Sequence, residues 1–221
     1  MQKSETPSLS DKQARSRGRP RAFDREAALA VATRLFWTKG FEATSIADLT
    51  EAMKIGSPSL YAAFGSKEGL YAEALDYYKA NFDAFVWDNF FAAGTAREAI
   101  KAFLLDSAAA LTGTVADIPC GCMMTLSAVG SEGHAELGDL VRTGRAVTLD
   151  RLTARLDRAV AEGEIPASTD VHALARFVQS VQNGMSILAR DNVCCAELKS
   201  VADVAMLGWD KYTNPGERAP G

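Results

Sequence analysis

The stretch 44–70, TSIADLTEAMKIGSPSLYAAFGSKEGL, constrains this chain more than any other part of it. Ile46, Leu49 and Met53 fall at offsets of three and seven, so they mark one face of a short helix. The residues 53–56 are too few for anything except a turn. Ser57 stands where an N-cap belongs, with Pro58 at the first helical position, where its missing N–H costs nothing. Leu60 and Phe64 point inward from this second helix, Gly65 stops it, and Ser66 caps a third. Helix, tight turn, helix is the geometry in which one helix crosses phosphates while the other enters a major groove. Ser57, Ser59, Ala62 and Ala63 are short enough to let a helix backbone close on that groove, and serine can pair with either base type. Ser57, Pro58 and Ser59 lie at the helix start, nearest the base edges; Pro58 and the alanine methyls suit thymine methyl groups.

The whole chain carries a net charge of −4, which at first speaks against nucleic acid. The distribution reverses that reading. Residues 1–67 hold 11 Lys/Arg against 7 Asp/Glu, a net of +4, which leaves −8 for the rest. A basic end on an acidic body is the pattern of a chain that meets a polyanion at one end. Residues 1–17 are polar and expected to be a disordered basic arm; Arg19 and Arg21 continue its alternating arginines toward phosphates or a minor groove.

Residues 18–78 resemble the N-terminal DNA-binding domain of the TetR family of transcriptional regulators. The landmarks are Gly18, Arg19 and Pro20 as lead-in, Leu35 and Phe36, then Lys39, Gly40 and Phe41 closing the first helix, and Thr44, Ser45 and Ile46 opening the second. Leu60, Tyr61, Phe64, Ser66, Lys67 and Glu68 complete the set, over about a quarter of the chain. One departure is Lys54, where the family usually has glycine; a non-glycine residue at positive φ is uncommon and strained. The resemblance implies that Tyr61 donates its hydroxyl to a phosphate, that Lys67 contacts another, and that Thr44 and Ser45 grip one from the second helix, whose N-terminal dipole favours anions. It also implies a double-stranded DNA operator, a homodimer and a small-molecule effector held in a C-terminal domain.

The remaining residues read as helices throughout. A first helix over 25–39 is capped by Asp24, carries Ala28, Val31, Ala32, Leu35 and Phe36 on one stripe, and ends at Gly40. A long helix is expected over 66–90, running from the DNA-binding unit into the next domain, followed by helices over 96–111 and 134–162. The apolar run that begins at Cys120 reads as a short buried helix. Val171, Leu174, Val178, Val181, Met185 and Leu188 hold an a/d spacing, which Leu198, Val201, Ala205, Gly208 and Tyr212 repeat on a final helix. Two such helices from each of two subunits would make a four-helix bundle. Val171, Leu174, Val178, Val181, Met185, Val201 and Ala205 are therefore the expected dimer interface. The expected architecture is all-α, about nine helices: 18–69 a helix-turn-helix domain, 70–213 an effector-binding and dimerisation domain, 214–221 a disordered tail.

An apolar effector would meet Trp87, Phe103, Cys122, Met123 and Leu126. Cys120 and Cys122 beside two methionines also suit a soft metal or a redox switch, though the same residues are good buried hydrophobes. Neither His134 nor His172 has a partner at ligand or catalytic spacing, and no nucleophile elbow, Walker loop or dinucleotide fingerprint occurs, so no enzyme and no cofactor are expected. No apolar run approaches the ~20 residues that span a bilayer, and no secretory signal opens the chain, so the cytoplasm is the expected compartment.

Overall fold

The computed structural model describes residues 23–213; the arginines expected to act from the N-terminal arm, Arg19 and Arg21, lie outside them. Helices account for all regular structure among the described residues. Helix α1 (Arg25–Lys39) packs on α4 (Lys67–Phe82), and α2 (Ile46–Met53) and α3 (Ser57–Phe64) close a small unit against them. The body consists of α5 (Ala84–Ala92), α6 (Ala96–Leu111), the four-residue α7 (Met123–Leu126), α8 (Ala135–Ala161), α9 (Val171–Arg190) and α10 (Cys195–Thr213). That makes ten helices among the described residues.

Local chemistry sets most of these boundaries. Asp24 caps α1 by accepting from the Ala27 N–H, and Gly40 ends it with φ +84°, a backbone state that costs glycine little. Thr95 and Glu98 form a capping box on α6, and Asp170 caps α9. The N-cap of α3 is Gly56, so Ser57 and Pro58 move one place inward from the cap and first-turn positions expected for them. Proline is still tolerated there, because that N–H has no intrahelical acceptor. Lys54 ends α2 with φ 56° and ψ 43°, the left-handed region, as the missing glycine requires.

The helix expected over 66–90 is two helices. It breaks at Asp83, which closes α4 and opens α5 with helical dihedrals of its own, φ −60° and ψ −41°. No glycine or proline marks the site. Arg151 of α8 holds the Asp83 carboxylate at 2.7 Å and lays its guanidinium over Trp87 and Phe91, so the break is fixed from outside the helix. The run after Pro119 is also mostly loop, and only Met123–Leu126 is helical.

Two cores result. One joins α1 to α4 around Phe36, Leu49, Leu60 and Tyr71, and extends to Met124, Leu137 and Val141 of the body. The other fills the body around Phe90, Phe103, Leu152, Leu156 and Trp209. Leu174, Val178, Met185 and Ala205 are buried in this second core within a single chain. The expected intersubunit seam is thus intramolecular at these four positions; Val171, Val181 and Val201 sit half-buried at its edge. The periodicity was that of helices packing on their own body. The apolar face that α9 and α10 leave uncovered combines Leu188 and Tyr212, from the far ends of the two expected stripes, with Phe177, Val204 and Leu207.

The left-handed Lys54 gives a direct test. Lys54→Gly should raise stability in urea denaturation by up to about 1 kcal/mol, and Lys54→Val should lower it by about 1–2 kcal/mol. A fall with glycine would mean that the lysine is not strained there.

Candidate nucleic-acid interface and internal cavity

The turn between α1 and α2 is built from side chains that satisfy each other. Thr44 is fully buried; its hydroxyl donates to the Gly40 carbonyl at 2.6 Å and its N–H to the Phe41 carbonyl. It shapes the turn and does not face outward, so the phosphate contact expected of it is not available. Ser45 is exposed and caps α2: its oxygen accepts from the Asp48 N–H, while Asp48 accepts from the Ser45 N–H and hydroxyl. Lys39 bonds the same carboxylate at 2.9 Å. The lysine first, then the two Ser45 donors, hold the Asp48 carboxyl far below the ordinary carboxylate range.

Helix α3 stands on Leu60 and Phe64, both buried, and this fixes which face it presents. Ser57, Pro58, Ser59, Tyr61 and Ala62 are exposed on that face. Ser57 and Ser59 make no side-chain hydrogen bond to any other described residue, and neither does the Tyr61 hydroxyl. Lys67 opens α4 with its ammonium 4.1 Å from the Phe41 ring centroid. That cation–π contact holds the charge beside α3 without neutralising it. Five of the expected DNA-facing residues, Ser57, Pro58, Ser59, Tyr61 and Lys67, therefore share one end of the molecule.

The second feature is a cavity of about 150 Å³ between the N-terminal unit and the body. Its walls include Trp37 of α1, Tyr78 and Phe82 of α4, Trp87 of α5 and Phe103 of α6. Asp83, at the break between α4 and α5, lines it as well, and so does Cys122. Of the expected effector contacts, Trp87, Phe103 and Cys122 line the cavity. Met123 and Leu126 do not: Met123 is buried in the N-terminal core, and Leu126 packs on Gly121. Met124 and Thr125 take their places, because in a single helical turn Met123 and Leu126, three apart, share one face and the two residues between them take another.

Sequence reasoning missed Trp37. Its indole N–H donates to the Gly121 carbonyl at 2.8 Å, and its ring meets Tyr78 and Phe82 edge-on at centroid distances of 4.8 and 5.2 Å. Its position, directly after the apolar Phe36, was the available signal. Arg145, Gln179 and Gln182, which also line the cavity, left none, since polar residues on long helices normally face solvent. Tyr78 donates its hydroxyl to Cys122 Sγ at 3.2 Å; burial, and then the thiol, push the phenol well above its ordinary range. All four cysteines are free, and among the described residues no three His, Cys, Asp or Glu side chains group as a metal site. The geometry lends the metal or redox reading of Cys120 and Cys122 no support.

A sequence profile described as bacterial regulatory proteins, tetR family, matches residues 28–74. The chain is 37% identical over 198 residues to the HTH-type transcriptional repressor ComR of Escherichia coli K12, covering 88% of this chain and 93% of that protein. Over 70 residues it is 50% identical to the repressor BdcR of the same organism, covering 32% of this chain and 36% of BdcR. Among solved structures, a cysteine mutant of the TetR family regulator CifR, complexed with 26-bp operator DNA, superposes with a TM-score of 0.80. That protein is 39% identical, and the match covers 86% of this chain and all of the other.

The capping box sets a pH dependence. A depressed carboxyl contributes stability above the ordinary aspartate range and loses it as the pH falls through and below that range. Acid unfolding should therefore begin from about pH 4 downward, and Asp48→Asn should flatten that limb while lowering stability at neutral pH. An identical acid limb in the variant would assign the transition to other carboxylates.

Proposed function

The chain belongs to the tetR family of bacterial regulatory proteins, which are transcriptional regulators and not enzymes, and on that premise we propose that it is a homodimeric repressor released from a palindromic operator by a small molecule bound in the internal cavity. The observation that carries this reading is the placement of the cavity. Trp37, Tyr78, Phe82 and Asp83 line it, so whatever fills it presses on the elements that carry α3.

At the DNA end, Ser57, Pro58 and Ser59 enter the major groove first, and Tyr61 and Lys67 take phosphates on either side. Ser45 adds a phosphate contact only through groups its cap leaves free. Base readout by serine and alanine is modest, so much of the affinity comes from phosphates and from having two subunits. ComR and BdcR are repressors, and CifR has been seen on operator DNA; these support repression over activation.

The dimer rests on the uncovered face of α9 and α10. Val204 and Leu207 are more than two-thirds exposed, and Phe177, Leu188 and Tyr212 continue the patch around Gly184 and Gly208. Beside them lies an apolar depression of about 290 Å³ between Phe177 and Tyr212, which a partner side chain can fill. Contiguous exposed apolar surface of this kind marks an association site. Two copies joined there as a four-helix bundle can offer two copies of α3 to successive major grooves, ~34–36 Å apart.

Footprinting on the intergenic region beside the protein's own gene tests the reading. A protected site with two-fold symmetry and a steep salt dependence is expected; no protection by a folded dimer counts against it. Leu207→Asp, which costs no core packing, should give a monomer in sedimentation and abolish the footprint. Tyr61→Phe should weaken operator and non-operator duplexes alike, by roughly tenfold or less, and a changed sequence preference would remove Tyr61 from the phosphate.

A further inference from the structure

We infer that the cavity takes a small anion with an apolar body, a carboxylate on one aromatic ring or a short alkyl chain. The inference rests on the cavity being the effector site and names its ligand class.

Size comes first. A cavity of about 150 Å³ has room for a single ring. Its walls at Trp37, Phe82, Trp87 and Phe103 are aromatic, which suits a flat apolar body.

The polar lining fixes the head group. Four ionisable side chains other than Tyr78 and Cys122 reach the cavity: Lys79, Asp83, Arg145 and Arg151. Asp83 is taken by Arg151, and Lys79 pairs with Asp76 on its own helix. Arg145 alone has no carboxylate within 4 Å among the described residues. One terminal nitrogen of its guanidinium donates to the Ser127 carbonyl at 3.1 Å, while its Nε is buried and bonds to nothing. A cation in such a place keeps a desolvation cost that an anion would offset.

Gln182 points the same way. It is only 9% exposed, lines the cavity, and its amide bonds to no other described residue. Gln179, one turn earlier, makes the contrast: its amide donates to the Arg145 carbonyl and accepts from Arg176, so it is fully engaged. The Gln182 amide is thus free to pair with a ligand, in the same lining as a cation without a counter-ion. A carboxylate that accepts from the Arg145 guanidinium and the Gln182 amide satisfies both. A neutral hydrocarbon leaves both unsatisfied, and a cationic ligand meets a lining already positive.

The test uses the full-length protein with three acids, benzoate, phenylacetate and hexanoate, and their amides benzamide, phenylacetamide and hexanamide. Binding is measured by calorimetry on wild type, Arg145→Met, Arg145→Lys and Gln182→Leu, each first checked for native thermal melting. At least one acid should bind wild type about tenfold more tightly than its amide. That preference should vanish in Arg145→Met, survive in Arg145→Lys, and shrink in Gln182→Leu. Absence of any acid preference in wild type, or its survival in Arg145→Met, overturns the inference. Operator affinity measured alongside separates the two readings. Selective acid binding that leaves DNA affinity unchanged keeps the ligand class and removes the effector role. Release of DNA equally by acids and amides does the reverse.

Discussion

One buried hydrogen bond, from the Trp37 indole to the Gly121 carbonyl, joins the end that carries α3 to the body that holds the cavity. Its acceptor is fixed from several sides. The Gly121 N–H donates to the Leu111 carbonyl at the end of α6, and the next N–H, of Cys122, donates to the Ser186 hydroxyl of α9. Gly121 has φ +80°, and a Cβ there would collide with the Leu126 side chain and lie 3.0 Å from the Ser186 carbonyl. Only glycine lets three helices converge on that loop. Arg190, at the end of α9, adds two bonds to the Trp37 and Thr38 carbonyls, closing the last turn of α1 from outside. Each neutral bond is worth about 1 kcal/mol net and each charged one about 1.5–3 kcal/mol, but a broken one leaves a buried group unpaired. Such a joint favours discrete arrangements over gradual sliding.

That joint and the Asp83 break both line the same cavity. Trp37 lines it from α1, and Asp83 lines it from the junction of α4 and α5, held by Arg151. A ligand seated there can change the angle of the N-terminal unit only if it fits one arrangement better than the other. To turn a population from 1:99 to 99:1 it needs about 5.5 kcal/mol of preference, whereas a hundredfold loss of operator affinity needs only about 2.7 kcal/mol. One ring buried against tryptophan and phenylalanine, with one satisfied guanidinium, is within reach of the second figure and short of the first. A ligand of this size therefore suits a dimer whose DNA-bound arrangement is only modestly preferred, and in which two sites act together.

The DNA end was legible in the sequence because its signals are local. Caps at Asp24 and Ser45, stops at Gly40 and Gly65, and the unusual backbone of Lys54 all follow from neighbours within a few residues. The cavity was not, since its lining comes from α1, every helix from α4 to α9, and the loop between α6 and α7. Two misreadings share one cause. The break at Asp83 depends on Arg151, 68 residues away, and leaves helical dihedrals that no propensity can detect. The a/d stripe of α9 was real, but periodicity cannot tell which partner covers a stripe. Val178 and Met185 went to the chain's own core, while Leu188 at the end of the same stripe and Phe177 beside it were left outside. Thr44 failed differently: a threonine before a helix reads as a cap or a phosphate grip, and its burial depends on Gly40 turning back beneath it.

Charge makes the two ends compatible. With +4 over residues 1–67 and −8 over the rest, the sequence concentrates attraction to a polyanion in its N-terminal part, while the remainder is repelled by a duplex. The proposed anionic ligand would approach an acidic body, but the distances decide the outcome. At physiological ionic strength surface charges are screened beyond ~8 Å, so the body's net charge reaches the cavity weakly. Inside, the nearest groups act through a poorer dielectric, and of those lining the cavity three are cations and Asp83 is the single carboxylate. The field that matters to the ligand is thus set by Lys79, Arg145 and Arg151, and it has the opposite sign to the surface around it. The same reversal discriminates between anions: a phosphate backbone is too large to enter, and a small acid binds the DNA-facing surface too weakly to compete there.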